Sequence, residues 1–203
     1  MPLIDANDPR IWDGGSISVY RNRVNGRFVG YTREVRRNYM GNDHWVLRQK
    51  LGLKPGQSIL IVGAGYGWVA EDWQTIGLGP IICVDNSTWI QTNKCYEARV
   101  PIHSENILNL EDRERIRQLS PPKFDWAISE DVLSTLSDSE CLDMSKAMND
   151  LAHRVVHWIS VGNKRYDDPE VWAGDPRLNW KTSHEWKNLL GNDHIIARNE
   201  VTF

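Results

Sequence analysis

The sequence predicts a doubly wound, mostly parallel α/β sheet with helices on both faces. Three observations carry that prediction. From Ser58 onward, short apolar runs alternate with polar-faced stretches of helical period. The first run, SILIVG, is continuously apolar, as a strand covered on both faces should be. It leads straight into a glycine-rich turn, Gly63-Ala64-Gly65-Tyr66-Gly67, and then into a helix.

The elements follow in chain order. Residues 1–31 form a segment of their own: SISVYRNR and RFVGY read as two short extended runs around Asn25-Gly26, a dipeptide suited to a tight hairpin turn. Residues 32–203 make the main domain. Thr32 to Leu51 is helical in pattern, with Val35, Tyr39, Trp45, Val46 and Leu51 inward and a break at Gly41-Asn42. After SILIVG, a helix over Trp68–Thr75 precedes a second strand, PIICVD. A helix over Thr88–Arg99 precedes a third, PIHSENI, and a short helix over Asp112–Leu119 precedes a fourth, FDWAIS. Ser137–Arg154 reads as a long amphipathic helix, capped by Ser137 or Asp138 with Glu140 in its first turn. VVHWISV is the fifth strand, followed by a polar loop from Gly162 to about Thr182. A short helix, HEWKNLL, stops at Gly191, and HIIARNEVTF closes the chain as a last strand.

The 203 residues fit one domain with a sizeable core. At 25% charged and 40% hydrophobic, the composition is that of an ordinary globular protein. No apolar run approaches the ~18 residues that span a bilayer, so no membrane partner is expected. The amino terminus carries acids and Pro9 where a secretory leader needs an apolar core, and the chain reads as cytoplasmic. Cys83, Cys95 and Cys141 show no metal-ligand spacing; Cys83, inside IICV, reads as a small core residue. A net charge of −3 argues against a strong nonspecific nucleic-acid binder, and leaves open a nucleic-acid substrate held by a local basic patch. The ten tryptophans read as core or groove walls, each indole N–H finding an acceptor.

The glycine turn is the most informative stretch. Glycine is required where a backbone turns sharply and a ligand approaches in the space a Cβ would fill. Roughly twenty residues on, the second strand ends in Asp85, whose carboxylate can accept from both hydroxyls of a ribose. A dinucleotide fingerprint places its last glycine three positions after the second; here Gly67 follows Gly65 by two, and Trp68 puts an indole where a pyrophosphate would pack. A phosphate-binding loop is excluded, since no Gly-Lys-Ser/Thr follows the turn. A cofactor with ribose and adenine but no phosphates suits these residues better.

VGAGYG with the helix acids Glu71 and Asp72, then VDNS, SENI and FDWAISEDVLSTLSD, resembles the class I S-adenosylmethionine-dependent methyltransferases. The resemblance covers roughly Ser58 to Gly162 and implies a Rossmann-like domain over residues 32–203 that binds S-adenosyl-L-methionine. It implies that Gly63, Ala64, Gly65, Tyr66 and Gly67 cradle the methionine and ribose, that Asp85 holds the ribose and that Asn86 flanks the adenine. At the third strand end it points to Glu105, Asn106 and Ile107, and after the fourth strand to Ser129 and Glu130. The stretch after the fourth strand resembles small-molecule members and lacks the Pro-Pro motif of amino-methylating DNA enzymes. The family's sheet ends in a reversed two-strand hairpin; here either the last strand is absent or the amino-terminal hairpin substitutes for it.

Methyl transfer asks the protein mainly to align the reacting atoms and exclude water, so no catalytic residue is obligatory. Glu130 and Asp131, at the opening of the fourth strand, can orient an acceptor or take a proton, or are first-turn acids favoured by a helix dipole. His44 can reach the cleft or is an ordinary surface histidine. His103, His153 and His157 read as satisfied structural histidines, and no histidine pair has metal-ligand spacing. Arg33, Arg36 and Arg37 can meet a carboxylate or face solvent. Residues 1–31 and the loop at 163–182, rich in Tyr, Trp and Arg, are expected over one cleft mouth, the former as a lid. The rival readings are an NAD-binding oxidoreductase and a non-catalytic binding subunit of the same fold; self-association stays open.

Overall fold

A computed structural model of the chain describes residues 22–24, 27–29, 41–65, 67–86, 100–119, 122–161, 179, 181–191 and 194–198. Strands β1 (Asn22–Val24) and β2 (Arg27–Val29) pair antiparallel, with Arg23 opposite Phe28, in a two-stranded sheet of their own. The hairpin around Asn25-Gly26 is therefore present, although the turn residues lie outside the described ones. It adds no strand to the main sheet, which rules out the idea that it substitutes there for a missing one.

The main sheet holds β3 (Ile59–Val62), β4 (Ile81–Val84), β5 (Ile102–His103), β6 (Phe124–Glu130), β7 (Ala152–Ser160) and β8 (Ile195–Arg198). Their order is β5-β4-β3-β6-β7-β8, and all five pairings are parallel. The closing strand is thus present and lies directly beside β7. The sheet is wholly parallel among the described residues, with no reversed strand. From β3 the chain winds outward through β4 to β5, then returns to β6 on the other side. This switch point between β3 and β6 opens a crevice at the carboxyl ends of the strands.

Among the described residues, five helices accompany the sheet: α1 (Gly41–Leu51), α2 (Trp68–Thr75), α3 (Leu110–Gln118), α4 (Asp138–Leu151) and α5 (Ser183–Leu190). Not every boundary matches the sequence reading. α1 opens at Gly41, and residues 32–40, the first part of the expected helix, lie outside the described ones. α3 begins two residues before Asp112, because the Asn109 side chain caps it by accepting from the N–H groups of Glu111 (2.8 Å) and Asp112 (3.2 Å). α4 ends at Leu151, and Ala152 enters β7 with no intervening loop, so His153 and Arg154 are strand residues. The third strand is shorter than PIHSENI, its ladder covering Ile102 and His103 alone. The expected Thr88–Arg99 helix, Cys95, Arg33, Arg36, Arg37 and the loop from Gly162 to residue 178 lie outside the described residues.

Successive strand side chains point to opposite faces, and each face has its own core. On one, Leu60, Val62, Ala127, Val155 and Ile159 pack against Met144, Met148 and Leu151 of α4 and Trp186 of α5. On the other, Ile59, Ile61, Cys83, Ile128, Val156 and Trp158 meet Leu47 of α1 and Val69, Ala70 and Trp73 of α2. Trp73, Trp126, Trp158 and Trp186 are buried as expected. The indole N–H groups of Trp126 and Trp186, however, find no acceptor among the described residues. Those two rings instead face the cations of Arg154 (5.0 Å) and Lys181 (5.7 Å). At the amino edge of the sheet, Asp125 accepts from the N–H (2.8 Å) and hydroxyl (3.0 Å) of Ser58, which joins β3 to β6 at the end away from the crevice.

Candidate functional site

β3 delivers the chain into the glycine turn with Gly63 and Ala64 donating their N–H groups to the Val84 carbonyl (3.0 and 3.1 Å), so β4 braces the turn. Gly63, Gly65 and Gly67 all have left-handed φ, at 67°, 54° and 74°. That region suits glycine because other residues pay a steric penalty there. Gly67 closes the turn onto Ala64 (2.9 Å) and starts α2.

The two glycines that matter most have opposite surroundings. A Cβ on Gly63 would collide with Cγ2 of Val132, whereas a Cβ on Gly65 would meet nothing within 4 Å. Gly65 therefore faces open space, and its N–H donates to Oδ2 of Asp85 at 2.8 Å. Asp85 is half-buried just past β4, with its own N–H on the His103 carbonyl (3.0 Å). Three strand ends thus meet at Asp85. Asn86 is exposed beside it. Tyr66 lies outside the described residues.

After β5, the three candidate residues separate. The Oε2 atom of Glu105 is buried without a hydrogen-bond partner, while its Oε1 lies 3.7 Å from Nε of Arg115. The Asn106 side chain is committed to the Leu108 N–H (3.0 Å), and its N–H to Asp112 (2.7 Å). Ile107 is core, 4% exposed. Glu105 thus brings a buried carboxylate oxygen without a partner among the described residues to this strand end.

After β6, Ser129 is buried, and its hydroxyl lies 2.8 Å from Nδ1 of His157 on β7. Its side chain faces the core, so a direct cofactor contact through that hydroxyl is not available. Glu130 and Asp131 follow at the crevice. Asp131 is the one described non-glycine residue with left-handed φ, 53°. Its N–H donates to the Trp158 carbonyl (2.8 Å), and its carbonyl accepts from the Ser134 hydroxyl (2.8 Å). His44 lies on α1, its side chain outside the described ones.

The histidines differ from the expectation that all three are satisfied in the core. His153 is exposed at the start of β7, and His103 is half-buried. His157 is fully buried with Nε2 unpartnered, and burial, helped by His194, pushes its imidazole down to about 3. Sequence reasoning missed Val132 and Trp158, because their roles rest on contacts with residues far away in the chain. Among the described residues no group of His, Cys, Asp and Glu could hold a metal, and no helix is long and apolar enough to cross a membrane.

Neither a protein-family model nor a curated protein matches the sequence. Solved structures do resemble it. Magnesium protoporphyrin IX methyltransferase from Synechocystis PCC 6803, with bound S-adenosylhomocysteine, superposes with a TM-score of 0.59 at 15% identity, over 91% of this chain and 86% of that one. The fold is that of the class I S-adenosylmethionine-dependent methyltransferases. A methyltransferase of that kind from Archaeoglobus fulgidus gives a TM-score of 0.54 at 15% identity, over 73% of this chain and 66% of that one. In this methyltransferase fold, the glycine turn, Asp85, Glu105 and the Glu130–Asp131 pair all stand at the same end of the sheet.

Proposed function

We propose that the chain binds S-adenosyl-L-methionine in this crevice and transfers its methyl group to a small-molecule acceptor. The observation that carries the reading is Gly65: an open, left-handed backbone position whose N–H is held by the carboxylate that closes β4. That is a cradle a Cβ would fill, next to an acceptor group at ribose-binding distance from the turn. The orphaned Oε2 of Glu105 also fits, because a buried acceptor without a donor is costly, and an adenine amino group would supply one.

When bound, the cofactor supplies a methyl already activated on a sulfonium. The protein's task is alignment and exclusion of water. In this reading Gly63 to Gly67 hold the methionine and ribose portion, Asp85 accepts from the ribose hydroxyls, and Asn86 flanks the adenine, with Ile107 supporting that strand end from the core. Asp131 or Glu130 orients the acceptor, taking its proton where the acceptor must lose one; His44 is the reserve candidate.

Calorimetric titration tests the reading. S-adenosylmethionine and S-adenosylhomocysteine are expected to bind at micromolar level and NAD negligibly. Tighter binding of NAD would overturn it in favour of an oxidoreductase.

A further inference from the structure

We infer that Val132 is a positioning residue that couples the glycine turn to Asp131, so that filling the cofactor cradle also fixes the carboxylate offered to the acceptor. The inference rests on the cofactor reading above and adds a means of regulation to the same site.

The first observation is the contact itself. Cγ2 of Val132 occupies the space where a side chain on Gly63 would stand. The methyl group therefore sits directly on the turn backbone, at the point where β3 ends. Gly65, two residues on, faces open space instead. One glycine receives the protein and the other is left for a ligand.

The second observation is that Val132 belongs to a stiff unit. Its carbonyl accepts both the N–H (3.0 Å) and the hydroxyl (2.7 Å) of Thr135. The Ser134 hydroxyl returns to the Asp131 carbonyl (2.8 Å). Ser134 and Thr135 are buried in a single 3₁₀ turn, Leu133–Thr135. Residues 131–135 thus form one hydrogen-bonded unit.

The third observation is the backbone of Asp131. A left-handed φ on a residue with a side chain costs of order 1 kcal/mol or more and persists only when its surroundings hold it. Several attachments hold this unit from outside, among them the Asn179 N–H on the Ser134 carbonyl (2.9 Å) and the Cys141 thiol on the Leu133 carbonyl (3.4 Å). On one side the Asp131 N–H is fixed to the Trp158 carbonyl of β7 (2.8 Å). On the other, Val132 rests on Gly63. The Val132 attachment lies on the glycine turn itself. A ligand that stiffens the turn therefore acts on Asp131 through Val132.

Amide hydrogen exchange across residues 129–136, with and without saturating S-adenosylhomocysteine, decides the matter without any acceptor. In the wild-type protein and in Val132→Ile, which keeps Cγ2, the ligand is expected to slow exchange at Asp131 and its neighbours about tenfold. In Val132→Ala the same saturation is expected to slow it less than about twofold. Equal protection in all three proteins would overturn the coupling. So would a wild-type protein that binds S-adenosylhomocysteine with no change over 129–136, a result that stands even if Val132→Ala fails to fold. No binding of S-adenosylhomocysteine at all would instead remove the cofactor reading, and the coupling with it.

Discussion

Gly63 and Gly65 look interchangeable in the sequence, yet a side chain would meet a valine at one and empty space at the other. Substitutions should separate them. Gly65→Val is expected to keep a cooperative thermal transition and to lose S-adenosylhomocysteine binding, because its side chain takes the ligand's volume. Gly63→Ala is expected to destabilise the fold by on the order of 2–5 kcal/mol, combining overpacking against Val132 with left-handed strain. Thermal unfolding and calorimetry on the two variants check the pair; normal ligand binding by Gly65→Val would count against the cradle. The spacing of the glycines and Asp85 was legible because strand, turn and acid are close in sequence. Which glycine faces the protein was not, since Val132 lies on a different element, after β6.

At the scale of elements, a start marked by a capping box was easier to read than an end without glycine or proline. Ser137 caps α4 in a capping box: its N–H donates to Glu140 Oε2 at 2.8 Å, and its hydroxyl accepts the Glu140 N–H. The serine and the glutamate three residues on are visible in sequence. The end of α4 carries no such mark, for Leu151 passes to Ala152 without glycine or proline, and tertiary pairing with β6 decides the boundary. Asn109 was overlooked as a cap because the helix it starts is highly polar. α4 brings Cys141, Met144, Met148 and Leu151 into the core. Ser137→Ala is therefore expected to cost about 1 kcal/mol, lowering Tm by roughly 2–4 °C in a protein of this size. Thermal unfolding measures it, and an unchanged Tm would show the cap contributes nothing.

For the whole molecule, the strand–helix alternation made the doubly wound sheet readable, while the parallel direction of β8 depends on how the chain returns and left no local trace. Global stability should carry a signature of the buried histidine. An unfolded histidine titrates near 6.5, whereas His157 in its core position is held down to about 3. Between those values the unfolded chain binds a proton that the native chain refuses. Stability therefore falls as pH falls across that window, by up to about 1.4 kcal/mol per pH unit. His157→Gln, whose amide can still meet Ser129, is expected to flatten this slope in denaturant melts from pH 7 to pH 4; identical slopes would refute the assignment. The all-parallel sheet has a consequence in time as well. None of its strand pairs can close through a tight turn, so each must wait for a crossover to be completed. A chain emerging from the ribosome at roughly 5–20 residues per second exposes the glycine turn and Asp85 several seconds before Val132 and β6 arrive to brace them. Until then, the newborn crevice has only β4 and β5 to lean on.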